Sequence, residues 1–270
     1  MKVIFNGYCG RMGQVLVPEL ANQSDIQMVA VCDVTGKESE MLVDIKGSKL
    51  SIPAYTDLKT ALDESGAELL VDFTVAAAVP GTLEEALSRG VHCIVGTTGV
   101  PHERYEEMYK YAKPGTTLFY APNFTLGAVL MQIFAEQAAP YFEDVEVIEF
   151  HHTGKKDAPS GTAVNTAKSM AKARLAKGVS SDAPGAESEI SGCAGARGAK
   201  VDGIPVHSVR GGGYMAHQEV ILSSMGQTLV IRHDSIDRRS YLPGLLLAIR
   251  RAVLTPGLTV GLNILLDMDN

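Results

Sequence analysis

The 270-residue sequence contains no tryptophan, and aromatic residues make up only 6% of it. Cysteine is scarce as well, and its four occurrences form no Cys-x-x-Cys pair: Cys9, Cys32, Cys93 and Cys193. This spacing indicates no zinc or dithiol site, so we expect no bound metal and reduced thiols. No apolar run approaches about 18 residues, and the apolar start of the chain is too short for a secretory signal. We therefore expect no membrane span and a cytoplasmic location.

The sequence also has no excess of basic residues over acidic ones. The 24 Lys and Arg residues are outnumbered by 31 Asp and Glu residues, which gives a formal net charge of −7. Because nucleic-acid-binding proteins usually carry a basic surface, this balance argues against a nucleic-acid partner. The chain is 46% hydrophobic and 20% charged, which is enough to build a sizeable core. Its length favours two domains packed from one chain.

The first element is a glycine-rich turn between a strand and a helix. Lys2 to Asn6 is an apolar strand, and Gly7-Tyr8-Cys9-Gly10-Arg11-Met12-Gly13 leads into a segment with helical periodicity. This context is the one that a dinucleotide fingerprint requires, because small residues let the backbone approach a pyrophosphate at the helix N-terminus. The spacing is G-x-x-G-x-x-G rather than the commoner G-x-G-x-x-G. A glycine-rich turn alone is a weak signal.

An acidic residue strengthens the nucleotide hypothesis. The apolar strand Gln27 to Cys32 ends at Asp33, which lies twenty residues after Gly13. An acid at that distance typically binds the adenosine ribose hydroxyls. The alternative is a simple turn residue at the end of a strand. Asp33 favours NADH by repelling a 2′-phosphate, but Arg11 and Lys37 would soften that preference, so NADH and NADPH both remain cofactor candidates.

Further strands alternate with helices as far as Tyr120, which indicates a parallel, Rossmann-like α/β sheet. Ligands of such sheets bind beyond the carboxyl ends of the strands, and we expect Asp33, Phe73, Gly96 and Ala121 at that edge. Residues 35–50 are mostly polar and predict a loop with a short helix. The candidate cofactor-binding residues are Gly7, Gly10, Arg11, Met12, Gly13, Asp33, Phe73, Gly96, Thr98, Ala121, Asn123 and Phe124.

The later part of the chain has a different pattern. Residues 206–210, 217–224 and 227–233 predict antiparallel strands, which with a strand over 145–148 form a second, mixed or antiparallel sheet. Residues 177–205 are rich in Gly, Ala and Ser and predict a long mobile loop. We expect a dinucleotide-binding domain over 1–123 and 239–270, and a smaller α+β domain for substrate binding and oligomerisation over 124–238.

The stretch from Glu149 to Ala163 carries the most chemistry. It places two histidines and two lysines on a predicted loop before the helix that Ser160, Gly161 and Thr162 begin. A histidine transfers protons near neutral pH, a lysine supplies positive charge, and a helix N-terminus binds a carboxylate. The alternative is a solvated basic loop with an ordinary helix cap.

These motifs together resemble the dihydrodipicolinate reductase family over essentially the whole chain. The matching segments are Gly10 to Gly13, Asp72-Phe73-Thr74, Gly96 to Gly99, Ala121 to Phe124, and His151 to Ala163. The resemblance implies that NAD(P)H reduces a small cyclic dicarboxylate, 4-hydroxy-tetrahydrodipicolinate, in the diaminopimelate route to lysine.

The resemblance also implies roles for individual residues. His151 matches the family's general acid/base and Lys155 its proton-donating partner, although spacing alone does not separate Lys155 from Lys156. Gly161 and Thr162 match the contacts to the substrate carboxylate, with His152 beside them. A homotetramer is implied as well. Two alternatives remain: another two-domain NAD(P)-dependent oxidoreductase, such as an amino-acid dehydrogenase, and a non-catalytic NAD-sensing protein.

Overall fold

A computed structural model describes residues 1–180 and 195–266 of the chain. The chain divides into two compact units. The first comprises Met1–Leu126 and Arg238–Asn270, and the second comprises Gly127–Asp237. Within the described residues, no helix combines the length and the apolar character needed to cross a lipid bilayer.

The first unit is built on an eight-stranded sheet with the order β13-β7-β6-β5-β1-β2-β4-β3. Its strands are β1 (Lys2–Asn6), β2 (Gln27–Cys32), β3 (Glu40–Ile45), β4 (Ser48–Tyr55), β5 (Leu69–Asp72), β6 (His92–Val95), β7 (Thr117–Tyr120) and β13 (Gly257–Val260). Its helices are α1 (Gly13–Ala21), α2 (Leu58–Ser65), α3 (Val79–Leu87), α4 (His102–Tyr109) and α7 (Leu242–Arg251). Only β3 and β4 pair antiparallel.

The order of the strands creates an edge of the sheet at which a ligand can bind. The chain passes from β1 to β2 on one side and later returns to β5 on the other side of β1. Such a switch point opens a crevice at the carboxyl ends of the strands. The central strands are apolar because helices cover both faces of a parallel sheet, and all four residues of β5 are buried. The predicted Rossmann-like fold is confirmed.

The prediction for residues 35–50 is wrong. The structure has a β-hairpin there, with β3 and β4 joined by Lys46 and Gly47 at φ values of 51° and 86°. Positive φ at both central residues matches the twist of a two-residue hairpin turn. The polar residues that suggested a loop, such as Glu40 and Asp44, occupy exposed positions of an edge strand.

The second unit is built on a five-stranded mixed sheet with the order β12-β11-β8-β10-β9. Its elements are α5 (Leu126–Ala138, whose first residue belongs to the first unit), β8 (Asp144–His151), α6 (Gly161–Ala176), β9 (Ala199–Val201), β10 (Ile204–Arg210), β11 (Ala216–Ser224) and β12 (Gln227–Ser235). One face of the sheet packs against α5 and α6 in an apolar core that includes Met131, Val147, Ala167, Met170 and Val220. The predicted mixed sheet is confirmed.

Three local predictions need correction. β10 pairs with β8 in parallel, not antiparallel. Residues 177–205 are not one loop, because β9 and the start of β10 lie inside this range, although residues 181–194 lie outside the described part. β8 continues to His151 instead of ending at Ile148, since β10 and β11 both pair with it as far as His151. His151 therefore lies on a strand, not on a loop.

Two helical glycines give a test of the packing in the first unit. Gly244 and Gly81 are each the third residue of a helix and each follow a proline. A Cβ atom at Gly244 would overlap the backbone carbonyl oxygen of Phe124 and lie 2.8 Å from Leu262 Cδ2, whereas a Cβ atom at Gly81 would meet open space. We expect Gly244→Ala to lower the free energy of unfolding by about 1–3 kcal/mol, as overpacking does.

The matched control is Gly81→Ala, which we expect to leave the free energy of unfolding unchanged or to raise it by up to about 1 kcal/mol, because alanine restricts the unfolded chain. Urea denaturation of both variants measures the difference. Equal stabilities of the two variants would contradict the close approach of α7 to Phe124.

Candidate active site

The glycine turn of the first unit connects β1 to α1. Gly7 has a φ of +92°, and its N–H group donates to the Cys32 carbonyl oxygen at 2.8 Å. A Cβ atom at Gly13 would lie 2.6 Å from the Gly7 oxygen, so both positions require glycine. No side chain caps α1 at Met12, and its first turn contains no acidic residue. This helix N-terminus therefore suits an anionic phosphate.

The Asp33 carboxylate lies at the carboxyl end of β2 and holds the turn in place. Its Oδ2 atom accepts a hydrogen bond from the Cys9 N–H group at 3.1 Å. Its Oδ1 atom accepts from the N–H and hydroxyl groups of Thr35 at 2.9 and 2.7 Å. Each carboxylate oxygen can accept two hydrogen bonds, so Oδ2 retains capacity for a ribose hydroxyl. Asp33 is thus a turn residue and remains a candidate ribose ligand, while Arg11 and Lys37 are exposed.

A buried carboxylate joins the ends of three neighbouring strands in this unit. Asp72, at the end of β5, has no solvent exposure. It accepts hydrogen bonds from Asn6 Nδ2 at 3.0 Å, from the Thr97 hydroxyl at 2.6 Å, and from the Thr74 hydroxyl at 3.0 Å. Burial raises the pKa of Asp72, and the hydrogen bonds oppose that effect. The sequence motif contained Asp72, but its role in linking β1, β5 and β6 was not predicted.

The other candidate cofactor residues differ in exposure. Phe73 stacks on Phe5 with ring centroids 5.7 Å apart, and Gly96 lies directly against the Phe73 ring. Thr98 is exposed on the following loop. The remaining three follow β7: Ala121 and Phe124 are buried, and the Asn123 side chain accepts from the Thr125 N–H group at 2.9 Å. These positions border the same sheet edge, but Phe124 is a core residue.

In the second unit, His151 ends β8 above a buried carboxylate. Its Nδ1 atom lies 2.5 Å from Oε2 of Glu149, a residue with no solvent exposure. Burial lowers the pKa of His151, the charges of Lys155 and Arg210 act in the same direction, and Glu149 opposes them. Burial has the largest effect, so the pKa of His151 is lowered overall from its ordinary value.

The two lysines that follow have different environments. Lys155 is partly buried and forms an ion pair with Asp157 at 2.9 Å, and its charge acts on His151. Lys156 is exposed. The Lys155 N–H group donates to the His152 carbonyl oxygen at 3.1 Å, which closes a turn directly after the strand. The two lysines therefore differ in burial, and the charge of the partly buried Lys155 acts on His151.

The helix α6 begins beside this turn. The Ser160 hydroxyl accepts from the Ala163 N–H group at 3.2 Å and so caps the helix. Gly161 has open space on its Cβ side, and Thr162 is partly exposed. The Ser160 N–H group donates to Glu149 Oε1 at 3.2 Å, so the helix start and the His151 strand share one carboxylate.

Two residues of this cluster were missed as functional candidates, Glu149 and Arg210. The Arg210 guanidinium binds Glu149 through two nitrogens, at 2.9 and 2.8 Å. A signal for Glu149 was present, because strand alternation places it on the same face as Val145 and Val147. A carboxylate on an apolar face requires a partner, but the sequence did not indicate that this partner lies 61 residues away.

Comparisons with known proteins identify the family. The family model described as dihydrodipicolinate reductase, N-terminus, matches residues 1–124, and the C-terminus model matches residues 127–266. A 4-hydroxy-tetrahydrodipicolinate reductase from Streptomyces coelicolor is 44% identical over 100% of this chain and 99% of its own length. A reductase of the same name from Mycolicibacterium vanbaalenii is 51% identical over 78% of this chain and 85% of its own length.

A comparison with solved structures supports the same family. The dipicolinate-bound dihydrodipicolinate reductase from Paenisporosarcina sp. TG-14 is 35% identical, with a TM-score of 0.84 and coverage of 98% of this chain and 99% of that chain. An amine dehydrogenase from Mycobacterium smegmatis has a TM-score of 0.60 at 12% identity, a likeness in fold alone. The amino-acid dehydrogenase alternative has no support beyond such a likeness. The chain belongs to the dihydrodipicolinate reductase family and is an NAD(P)H-dependent oxidoreductase.

Proposed function

We propose that the cluster around His151 performs the proton transfer of the family's reaction. This chain reduces 4-hydroxy-tetrahydrodipicolinate to tetrahydrodipicolinate with NADH or NADPH, in the diaminopimelate route to lysine. The observation that carries the proposal is the contact between His151 Nδ1 and the buried Glu149 at 2.5 Å, with Lys155 close by. This contact leaves the second ring nitrogen available for proton exchange.

The substrate is a small dicarboxylate on this proposal. The relative from Paenisporosarcina was solved with dipicolinate bound, which is itself a ring dicarboxylate. In this chain the N-terminus of α6 offers the backbone N–H groups of Gly161 and Thr162 to one carboxylate, because helix N-termini favour anions. His152 lies in the turn before that helix and supplies a further polar contact.

The reaction adds one hydride and one proton to the substrate and releases one water. The substrate loses its hydroxyl together with a hydrogen from the adjacent ring carbon as water, which leaves a ring double bond. A bound reduced nicotinamide would supply the hydride to that ring, and His151, with Lys155, supplies the proton that completes the reduction. Lys155 also stabilises the negative charge that develops on the ring before the proton arrives, as a fixed positive charge does in a partly buried site.

The first unit binds the dinucleotide on this proposal, and the second binds substrate. The N-terminus of α1, at which no side chain of the described residues acts as a cap, would hold the pyrophosphate near Gly10, Arg11 and Met12. Asp33 binds the adenosine ribose through its remaining acceptor capacity. The edge residues Phe73, Gly96, Thr98, Ala121, Asn123 and Phe124 border the nicotinamide end. Residues 1–123 and 239–270 thus bind the cofactor on this proposal, and residues 124–238 bind the substrate, as expected from the sequence.

We further propose a homotetramer in the cytoplasm. The sheet face of the second unit that lies away from α6 carries partly exposed apolar residues on four strands: Ile148, Phe150, Val209, Ile221 and Val230. Contiguous apolar surface of this kind is typical of association between copies of one chain. Two of the free cysteines, Cys32 and Cys93, are buried thiols, which suits a reducing compartment.

The catalytic assignment is tested by His151→Ala, Lys155→Met and Lys156→Met. Substrate is generated in place by the preceding synthase from pyruvate and aspartate semialdehyde, and NADH and NADPH oxidation is followed by absorbance. We expect His151→Ala and Lys155→Met each to lower kcat by about a hundredfold or more, as loss of a proton-transfer group does. NADH affinity should stay near the wild-type value, because both residues lie in the second unit.

Lys156→Met is the matched control, since it removes the same charge one residue further along the chain from an exposed position. It should turn over substrate like wild type. Equal losses in the two lysine variants would remove the special role of Lys155, and full activity in His151→Ala would remove His151 from the mechanism.

The ribose assignment is tested with Asp33→Asn, which keeps one of the two side-chain oxygens that the turn uses and removes the charge. We expect NADH to bind more weakly, and the ratio of the NADPH to the NADH dissociation constant to fall, because the 2′-phosphate is no longer repelled. Calorimetric titration with both nucleotides measures this ratio. An unchanged ratio would show that Asp33 serves the turn alone.

The tetramer is tested by analytical ultracentrifugation. We expect the mass of four chains for wild type, and a smaller assembly for a variant carrying Ile221→Lys and Val230→Lys, since two charges would be buried on the apolar face. Val34→Lys is the control, because Val34 is 85% exposed in the first unit. A wild-type mass of one chain at micromolar concentration would overturn the assignment.

A further inference from the structure

A fully buried carboxylate lies beneath the proposed proton donor and takes no part in the steps above. Glu149 has no solvent exposure and lies on the face of β8 that packs against α6. An ionised carboxylate in such a place is costly unless it is paired and hydrogen-bonded. The groups that pair with the Glu149 carboxylate therefore indicate its role.

Glu149 has partners from three directions. Arg210 Nη1 and Nη2 donate to its two oxygens at 2.9 and 2.8 Å, the Ser160 N–H group donates at 3.2 Å, and His151 Nδ1 lies 2.5 Å away. Arg210 also donates to the Asp157 carbonyl oxygen at 2.8 Å. The parallel register of β10 and β8 places Arg210 opposite His151, so the pair is held by regular secondary structure.

The charge state of Glu149 follows from these contacts. Burial raises the pKa of Glu149, but hydrogen bonds from Arg210, Ser208 and His151 outweigh that effect and the pKa is lowered. An ionised carboxylate only accepts hydrogen bonds, so the His151 nitrogen facing it must carry a hydrogen. That nitrogen is Nδ1, which leaves Nε2 as the nitrogen that exchanges a proton with a ligand.

We propose that Glu149 is a positioning residue for the reduction, which sets the His151 tautomer and stabilises its protonated form, and that Arg210 keeps Glu149 ionised for this purpose. The proposal rests on the proton-transfer role of His151 proposed above. Neither Glu149 nor Arg210 needs to touch substrate, because both act through the imidazole ring.

The charges around His151 explain why such a carboxylate is needed. The charged groups that act on the ring are Glu149 on its own strand, Arg210 on β10, and Lys155 and Asp157 in the following turn. The two cations and the burial of the ring favour neutral imidazole, whereas Glu149, through a direct hydrogen bond, and the exposed Asp157 favour imidazolium. A proton donor must be protonated at the working pH. Removing Glu149 would lower the pKa of His151, so less of the imidazole would be protonated.

The test is Glu149→Gln in the synthase-coupled assay. We expect kcat to fall by about 10- to 100-fold, as loss of an orienting partner typically does, with NADH affinity unchanged. Because the pKa of His151 falls when the carboxylate charge is removed, the alkaline limb of the profile of kcat against pH should move to lower pH. A purely structural residue would lower the amount of folded enzyme without moving this limb.

A matched control exists on the opposite face of the same sheet. His217 Nδ1 lies 2.6 Å from Asp234 Oδ1, and Arg232 Nε donates to the same carboxylate at 3.0 Å. This set repeats the histidine, carboxylate and arginine arrangement, but Asp234 is exposed. Because this pair lies on the apolar face proposed for association, ultracentrifugation must first show the wild-type mass for Asp234→Asn. With that mass retained, the variant should keep the wild-type kcat and pH profile.

Glu149→Gln leaves the Arg210 charge without its carboxylate partner, which by itself lowers the stability of the variant. The double variant Glu149→Gln with Arg210→Met removes both charges together, which proteins often tolerate. If the pair served stability alone, the double variant would regain activity. We expect instead a folded protein, shown by thermal unfolding and NADH binding, that stays slow because the imidazole has lost its orienting partner. Its pH limb should be displaced less than in Glu149→Gln, because the Arg210 charge that lowers the pKa of His151 is gone as well.

A nitrogen NMR measurement separates failure of this proposal from failure of the proposed function. The ring signals of His151, assigned by their loss in His151→Ala, should show Nδ1 protonated in neutral wild-type imidazole and a mixed or Nε2-protonated form in Glu149→Gln. An unchanged tautomer, wild-type kinetics of Glu149→Gln, or recovered activity of the double variant would overturn the role of Glu149. Full activity of His151→Ala would instead overturn the proton-transfer assignment.

Discussion

Glu149 places a negative charge where water has no access, and much of the second unit is arranged around that charge. The carboxylate is satisfied by Arg210 from β10, by the backbone N–H group of Ser160, which caps α6, and by the imidazole of His151. Each of these elements must keep its position for the charge to remain paired. The same contacts that satisfy a buried charge therefore determine which way the proposed acid points.

The first unit uses a buried carboxylate in a different way. Asp72 is surrounded by the neutral side chains of Asn6, Thr74 and Thr97, and within the described part of the chain its hydrogen-bond partners include no arginine. Burial raises the pKa of Asp72, whereas the pKa of Glu149 is lowered by its partners. The difference has a physical reason, because a guanidinium compensates desolvation far better than hydroxyl and amide dipoles do. Asp72 links strand ends, and Glu149 in addition influences a titrating group.

In the glycine turn between β1 and α1, the main constraint is the close approach of backbone segments to one another. Gly7 is required by its φ of +92° and by the nearby Phe73 carbonyl oxygen, and Gly13 by the backbone of Tyr8 and Gly7, whereas a Cβ atom at Gly10 would meet only the Gly7 oxygen, at 3.2 Å. On the proposed function, the absence of a side chain at Gly10 leaves room for the cofactor. The Asp33 carboxylate combines two properties. It closes the turn by accepting hydrogen bonds from Cys9 and Thr35, and it keeps acceptor capacity for a ribose.

The sequence by itself determined the features that depend on neighbouring residues: the strand, glycine turn and helix at Gly7 to Gly13, the alternation of strands and helices, and the Ser160 cap. It also contained the motifs that identify the family. Tertiary structure decided the rest. The hairpin of β3 and β4, the parallel pairing of β10 with β8, and the contact of Arg210 with Glu149 depend on which distant strands lie side by side. Local propensity and periodicity determine which face of a strand is buried, but pairing is selected by the burial and charge compensation of residues far apart in the chain, and only the folded protein reveals it.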